Sequence, residues 1–286
     1  MASNLTKRIA FAGVAIPLAV GVVWLGGWPF AAVLAVLGVL GTREVYDLAR
    51  RQGLDALDRT GGVAAAAIPL LAYWAKGSET HWAEPALYLG ALWLMVMLVV
   101  AMVRRGPQGK PLTVVSVTLF GCLYASALLS FLIPIRHGAN AAGRPVAYLC
   151  LTLFPLVITW IGDTAAMAVG IKLGGPKLAP VLSPNKTQSG AVGGLVGAVA
   201  TALALGLLVL NRVGWNFAVW QLVTVGVVVG VVAQIGDIAE SLFKREAGVK
   251  DSSSLIPGHG GVLDRLDSLY FVVPAAAGLF RIFRVI

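Results

Sequence analysis

Apolar residues gather along this chain into long blocks, and short polar stretches separate them. Nine blocks are long enough, or nearly so, to cross a bilayer as helices: residues 8–27, 29–49, 62–76, 85–103, 112–135, 146–171, 191–211, 217–245 and 265–284. The third is short and alanine-rich. No polar stretch is long enough to build a soluble domain. The pattern therefore predicts an all-α, polytopic integral membrane protein with about nine transmembrane helices. Residues 1–135 read as N-terminal helices, for which packing, dimerisation as a homodimer and lipid access all stay open. Residues 136–286 carry most of the polar clusters and read as the chemical half.

Composition agrees. Hydrophobic residues make up 58% and charged residues 12%, with a mean hydropathy of +0.85. A soluble domain has about 25% charged residues. The net charge of +9 would point to nucleic acid in a soluble protein. Here the bases sit in short loops, so membrane orientation and phosphate ligands explain them and no nucleic-acid partner is expected. Cys122 and Cys150 lie in apolar runs and read as packing residues rather than a disulfide or metal pair. Lys7 and Arg8 followed by an apolar run resemble a signal sequence, but further spans follow at once and a retained first helix is expected.

Orientation follows from the bases. With the N-terminus in the cytoplasm, sixteen of the 22 lysines and arginines fall inside, and only Lys76, Arg136, Arg144, Arg212, Arg281 and Arg284 fall outside. All the acids except Glu79 and Glu84 also lie on or near the inner face. The expected location is a bacterial-type inner membrane, with the chemistry on its cytoplasmic side.

Three polar clusters lie at that level. The first is Ser241 to Ser268, which holds Lys244, Arg245, Lys250 and Arg265 beside Asp251, Asp264 and Asp267, around a turn from Pro257 to Gly261. The second is a pair of aspartates, Asp163 and Asp237, each preceded by Ile-Gly and each placed within about a turn of the inner boundary. Two carboxylates at one depth on separate helices are able to share a cation. Asp237, Glu240, Ser241 and Lys244 share one helical face, and Glu240 with Lys244 also reads as a plain ion pair. The third is the loop with Lys172, Lys177 and Lys186, whose Ser183 and Thr187 supply hydroxyls suited to a polyphosphate or to an ordinary positive-inside loop. Asp264 and Asp267, beside Gly260 and Gly261, read as helix caps or as a metal and phosphate site. His259 reads as a general base, a phosphate contact or a turn residue. No P-loop, zinc-protease motif or nucleophile elbow occurs. Gly190, Gly193, Gly194 and Gly197 read as a helix-packing stripe.

The segment Ser241, Lys244-Arg245, Lys250-Asp251, Pro257-Gly258-His259-Gly260-Gly261 and Asp264-Arg265-Leu266-Asp267 resembles the signature of the phosphatidate cytidylyltransferase (CDP-diacylglycerol synthase) family. The spacing is complete. The resemblance extends to Asp163-Thr164-Ala165-Ala166, to Ser183-Pro184-Asn185-Lys186-Thr187 and to Gly236-Asp237, so it covers the C-terminal half. It implies a Mg²⁺-dependent nucleotidyl transfer in which CTP and phosphatidic acid, a membrane lipid, give CDP-diacylglycerol and pyrophosphate. It also implies a metal centre on Asp237 and Asp264, with K⁺ as a second ion. Asp237, Lys244, Arg245, Lys250, Asp251, His259, Asp264 and Arg265 are the expected catalytic residues. Asp163, Ser183, Lys186, Thr187, Ser241, Gly260, Gly261 and Asp267 are the expected substrate contacts. Ser189 stands where the family often has glutamate. The rival readings are a CTP-dependent polyprenol or dolichol kinase and a transporter of an anionic solute.

Overall fold

The computed structural model describes residues 13, 17–76, 83–105, 107–138, 141–255 and 260–286. Among these, six helices are long and apolar enough to cross a membrane. A short helix, α1 (residues 17–25), leads into α2 (Gly27–Arg51). Next come α3 (Asp58–Trp74), α4 (Ala83–Arg105) and α5 (Pro111–Arg136). The second half contains α6 (Pro145–Leu173), the hairpin β1 (Lys177–Ala179) and β2 (Ser183–Thr187), α7 (Gln188–Leu210) and α8 (Val219–Glu246). It ends in α9 (Val262–Leu266) and α10 (Leu269–Ile282).

The membrane-length helices are α2, the Pro85–Arg105 part of α4, α5, α6, α7 and α8. The predicted block at 62–76 is the 17-residue α3, and most of block 8–27 lies outside the described residues. The block at 265–284 is not one continuous helix. It breaks at Asp267–Ser268 into the five-residue α9 and the 14-residue α10. One turn of α5 (Leu123–Ala127) and one of α7 (Gly206–Leu210) are widened to π geometry. The chain is also not purely helical, because the lysine loop folds as an antiparallel hairpin pairing Lys177 with Thr187 and Ala179 with Ser183.

Short α10 is the hub. Leu269, Tyr270, Val272, Val273, Ala276, Ala277 and Phe280 are all buried, and the helix packs against α5, α6 and α8. Helices α6 and α7 approach most closely along the glycine stripe. A Cβ on Gly190 would lie 2.8 Å from the Ala166 carbonyl oxygen, and one on Gly194 would lie 2.9 Å from Ala166 Cβ. This is helix packing, as the spacing predicted. Gly174 and Gly175, at φ 59° and 100°, end α6 and turn the chain into the hairpin.

Candidate active site

Helices α6 and α8, with the hairpin between α6 and α7, enclose a cavity of about 490 Å³. Asp163 comes from α6, Asn185, Lys186 and Thr187 from β2, and Gln234 and Asp237 from α8. The two aspartates inferred to share a depth therefore line one space. Lys186 Nζ lies 2.5 Å from Asp237 Oδ2, with both side chains partly open to solvent. Thr187 is buried, and its hydroxyl caps α7 by accepting from Gly190 N–H at 3.1 Å. Ser189, at the place of the family's glutamate, donates to the Gly174 carbonyl oxygen.

Asp267 stands at the joint of α9 and α10. Its backbone carbonyl would lie 2.9 Å from a Cβ on Gly236. That glycine lets the joint press against α8 beside Asp237. Asp267 lies within the electrostatic reach of Asp237, Asp163 and Lys244. Asp163 and Asp237 thus share one cavity with the Lys186 ammonium, Asp267 is near enough to be felt by both, and carboxylate oxygens are the donors a hard cation takes. Among the described residues no three His, Cys, Asp or Glu side chains converge as a protein-only metal cage.

A second cluster adjoins the first. Lys244 is ion-paired to Glu240, one turn earlier on α8, and its Nζ lies 2.7 Å from Asp264 Oδ1. Asp264 Oδ2 accepts from Gly261 N–H at 2.8 Å, Ser252 N–H at 2.8 Å and the Ser252 hydroxyl at 2.7 Å. Burial alone would raise the Asp264 pKa. The hydrogen bonds from Gly261, Lys244 and Ser252 outweigh it and hold the carboxyl below its ordinary range. Glu240 and Lys244 do form the ion pair that helical spacing allows, but Lys244 serves Asp264 as well.

The other expected residues fall around these clusters. Ser183 opens β2, and Ser241 is buried beside Glu240. Arg245 donates to the carbonyls of Leu182, at 3.2 Å, and Val249, at 3.3 Å, tying the end of α8 to the hairpin. Lys250, Asp251 and Arg265 are exposed. Gly260 takes φ 79°, a conformation that favours glycine. His259, with Pro257 and Gly258, lies outside the described residues.

One buried acid escaped the reading of the sequence. Glu44 of α2 is buried, and its carboxylate holds Ser252, Ser253, Val262 and Leu263 from the opposite half of the chain. A signal was present, because an acid within an apolar block is costly unless it is partnered.

The sequence model described as "Cytidylyltransferase family" matches residues 6–283. The phosphatidate cytidylyltransferase of Synechocystis sp. is 31% identical over 292 residues, covering 94% of each chain. Phosphatidate cytidylyltransferase 4, chloroplastic, of Arabidopsis thaliana is 34% identical over 300 residues, 94% of this chain and 72% of the plant protein. The phosphatidate cytidylyltransferase of Brucella suis reaches 49% identity over 134 residues, 47% of this chain and 46% of its own.

Proposed function

This chain belongs to the cytidylyltransferase family, and from that premise we propose that it transfers the cytidylyl group of CTP to phosphatidate, giving CDP-diacylglycerol and pyrophosphate. The observation that carries the reading is the Asp163–Lys186–Asp237 cavity, with the Asp264–Asp267 turn beside it. Relatives named phosphatidate cytidylyltransferase match nearly the whole chain. The polyprenol kinase and transporter readings have no comparable support.

In the reaction, a phosphate oxygen of phosphatidate forms a bond to the α-phosphorus of CTP. The bond from that phosphorus to the β-phosphate bridging oxygen breaks, and pyrophosphate leaves with the electron pair. The nucleophile is already an anion, so no base is required. The problem is to bring anions together, and fixed cations offset that repulsion. Lys186 in the cavity supplies one such charge. Arg245, held by its carbonyl contacts, with exposed Lys250 and Arg265, supplies more at the rim. Lys244 acts from beneath by fixing Asp264. Asp163 and Asp267 repel misplaced phosphate and so define where a cation must sit between protein and nucleotide.

The donor set fits magnesium, which takes carboxylates together with substrate phosphates. Asp237 with Asp264 is the proposed pair of protein ligands, for which Asp264 would exchange one of its contacts to Lys244, Ser252 or Gly261 for the ion, and potassium is the proposed second ion. When bound, magnesium would supply Lewis-acid polarisation of the α-phosphate and charge for the departing pyrophosphate. Nine spans, a cytoplasmic N-terminus and a site on the cytoplasmic face of a bacterial-type inner membrane complete the proposal. The lipid tails then stay in the bilayer while the head group meets CTP from the water. The hairpin supports this placement, since its open backbone edges need water or protein partners.

The test is purified protein in detergent with CTP, phosphatidate and Mg²⁺. CDP-diacylglycerol and pyrophosphate should appear in equal amounts. Label from CTP passing instead to a polyprenol, or no pyrophosphate release, would overturn the assignment.

A further inference from the structure

We propose that Glu44, in the N-terminal half, is a positioning residue that docks the signature segment onto the helix bundle and thereby aims Asp264; the inference rests on the cytidylyltransferase reading of the site. Glu44 is 4% exposed. Oε1 accepts from the Ser253 hydroxyl at 2.8 Å and Val262 N–H at 3.0 Å. Oε2 accepts from Leu263 N–H at 2.7 Å and the Ser252 hydroxyl at 3.0 Å. Every one of these donors lies more than 200 residues away in sequence.

The α9 turn needs such help. A helix of five residues has no independent stability, and its first N–H groups have no partners within it. Its own Asp264 takes the Gly261 N–H, and Glu44 takes the next two. Gly261 leaves the space for this, because a Cβ there would strike both Glu44 oxygens and the Ser252 hydroxyl. Ser252 links the two carboxylates, since its oxygen lies within hydrogen-bond reach of both. A serine has one proton, so it serves one carboxylate at a time and makes the pair a coupled unit. Glu44 touches none of the reacting groups. It acts through Ser252 and the α9 backbone on Asp264, and through Asp264 on Lys244. The N-terminal helices are on this account part of the catalytic unit.

The experiment compares the full-length protein with Glu44→Gln, Glu44→Ala and Ser253→Ala in detergent. Glu44→Gln keeps the shape but turns an NH2 group toward backbone N–H donors. It should lower kcat about tenfold, the effect of losing one hydrogen bond to a charged group, while the KM for CTP stays within about twofold. Glu44→Ala should cost more and Ser253→Ala less. Hydrogen exchange should rise over residues 252–264 in Glu44→Gln and stay unchanged in α6 and α8. This exchange readout holds whatever reaction the protein catalyses, so an inactive wild type would count against the reaction and not against the latch. Unchanged exchange over 252–264 with unchanged kcat would overturn the proposal. Protection lost evenly through every helix would overturn it too, by making Glu44 a general stability residue.

Discussion

Lys244 Nζ lies 2.7 Å from Asp264 Oδ1, joining the C-terminal end of α8 to the α9 turn across twenty residues of chain. The same ammonium pairs with Glu240, whose side chain is fully buried. Lysine at this position therefore has a structural duty as well as the proposed chemical one. Lys244→Ala should cost about 3–5 kcal/mol of stability, because it leaves Glu240 buried without its counter-ion. Adding Glu240→Gln in a Lys244→Met background removes the stranded charge and should recover most of the melting temperature. Turnover should not return, because Asp264 still lacks its cation. Thermal denaturation and pyrophosphate release, run on both variants, separate the two roles. Recovery of turnover in the double variant would leave Lys244 with no part in the chemistry.

Asp237 and Lys186 give the opposite expectation. Their side chains are 31% and 26% exposed, so the pair contributes at most about 1 kcal/mol to folding. Asp237→Asn should leave the melting temperature nearly unchanged and lower kcat/KM at least about a hundredfold, the scale of losing a preorganised electrostatic group. The variant should also need more magnesium for half-maximal rate. Stripping divalent ions with a chelator should stop wild-type turnover, and added Mg²⁺ should restore it. A variant with wild-type magnesium dependence would exclude Asp237 as a ligand.

What the sequence revealed tracks how local each determinant is. The matched depth of Asp163 and Asp237 is legible because position along an apolar helix can be counted residue by residue. The glycine stripe of α7 showed its packing role through spacing alone. The break at Asp267–Ser268 was hidden, because an apolar run follows at once from Leu269 and the room for the joint comes from Gly236 on another helix. The lysine loop was legible as compact, but its strand pairing depended on tertiary closure. Glu44 stood out only as an acid in an apolar block, and what it holds stayed hidden for the strongest reason. Its partners lie in the other half of the chain, and no local period connects them.

Gly236 is where that joint is tested. A Cβ would meet the Asp267 carbonyl at 2.9 Å and Ser268 Cα at 3.2 Å, both backbone atoms that cannot swing aside. Gly236→Ala should destabilise the protein by about 1–3 kcal/mol, the usual cost of overpacking. It should lower turnover as well, since the shift displaces Asp267 from Asp237. Gly62 in α3 is the control, because a Cβ there would find nothing within 4 Å. At that position alanine should be neutral or stabilising by up to about 1 kcal/mol. Equal melting temperatures for the two variants would mean that the α8 joint yields freely.

His137 gives the pH dependence. It follows α5, and its Nε2 accepts the Gly27 N–H at 2.8 Å, which requires a neutral ring. Burial first, then the positive charges of Lys76 and Arg136, push its pKa down to about 4 from an ordinary value of about 6.5. The unfolded chain therefore takes up a proton at His137 over a range where the folded protein does not. The stability this group contributes is complete above about pH 6.5 and declines as pH falls through the window down to about 4. The wild-type melting temperature should drop across that window. In His137→Gln, which offers an oxygen to the same N–H, the drop should be shallower. Parallel curves for the two proteins would show that His137 is not the group that titrates.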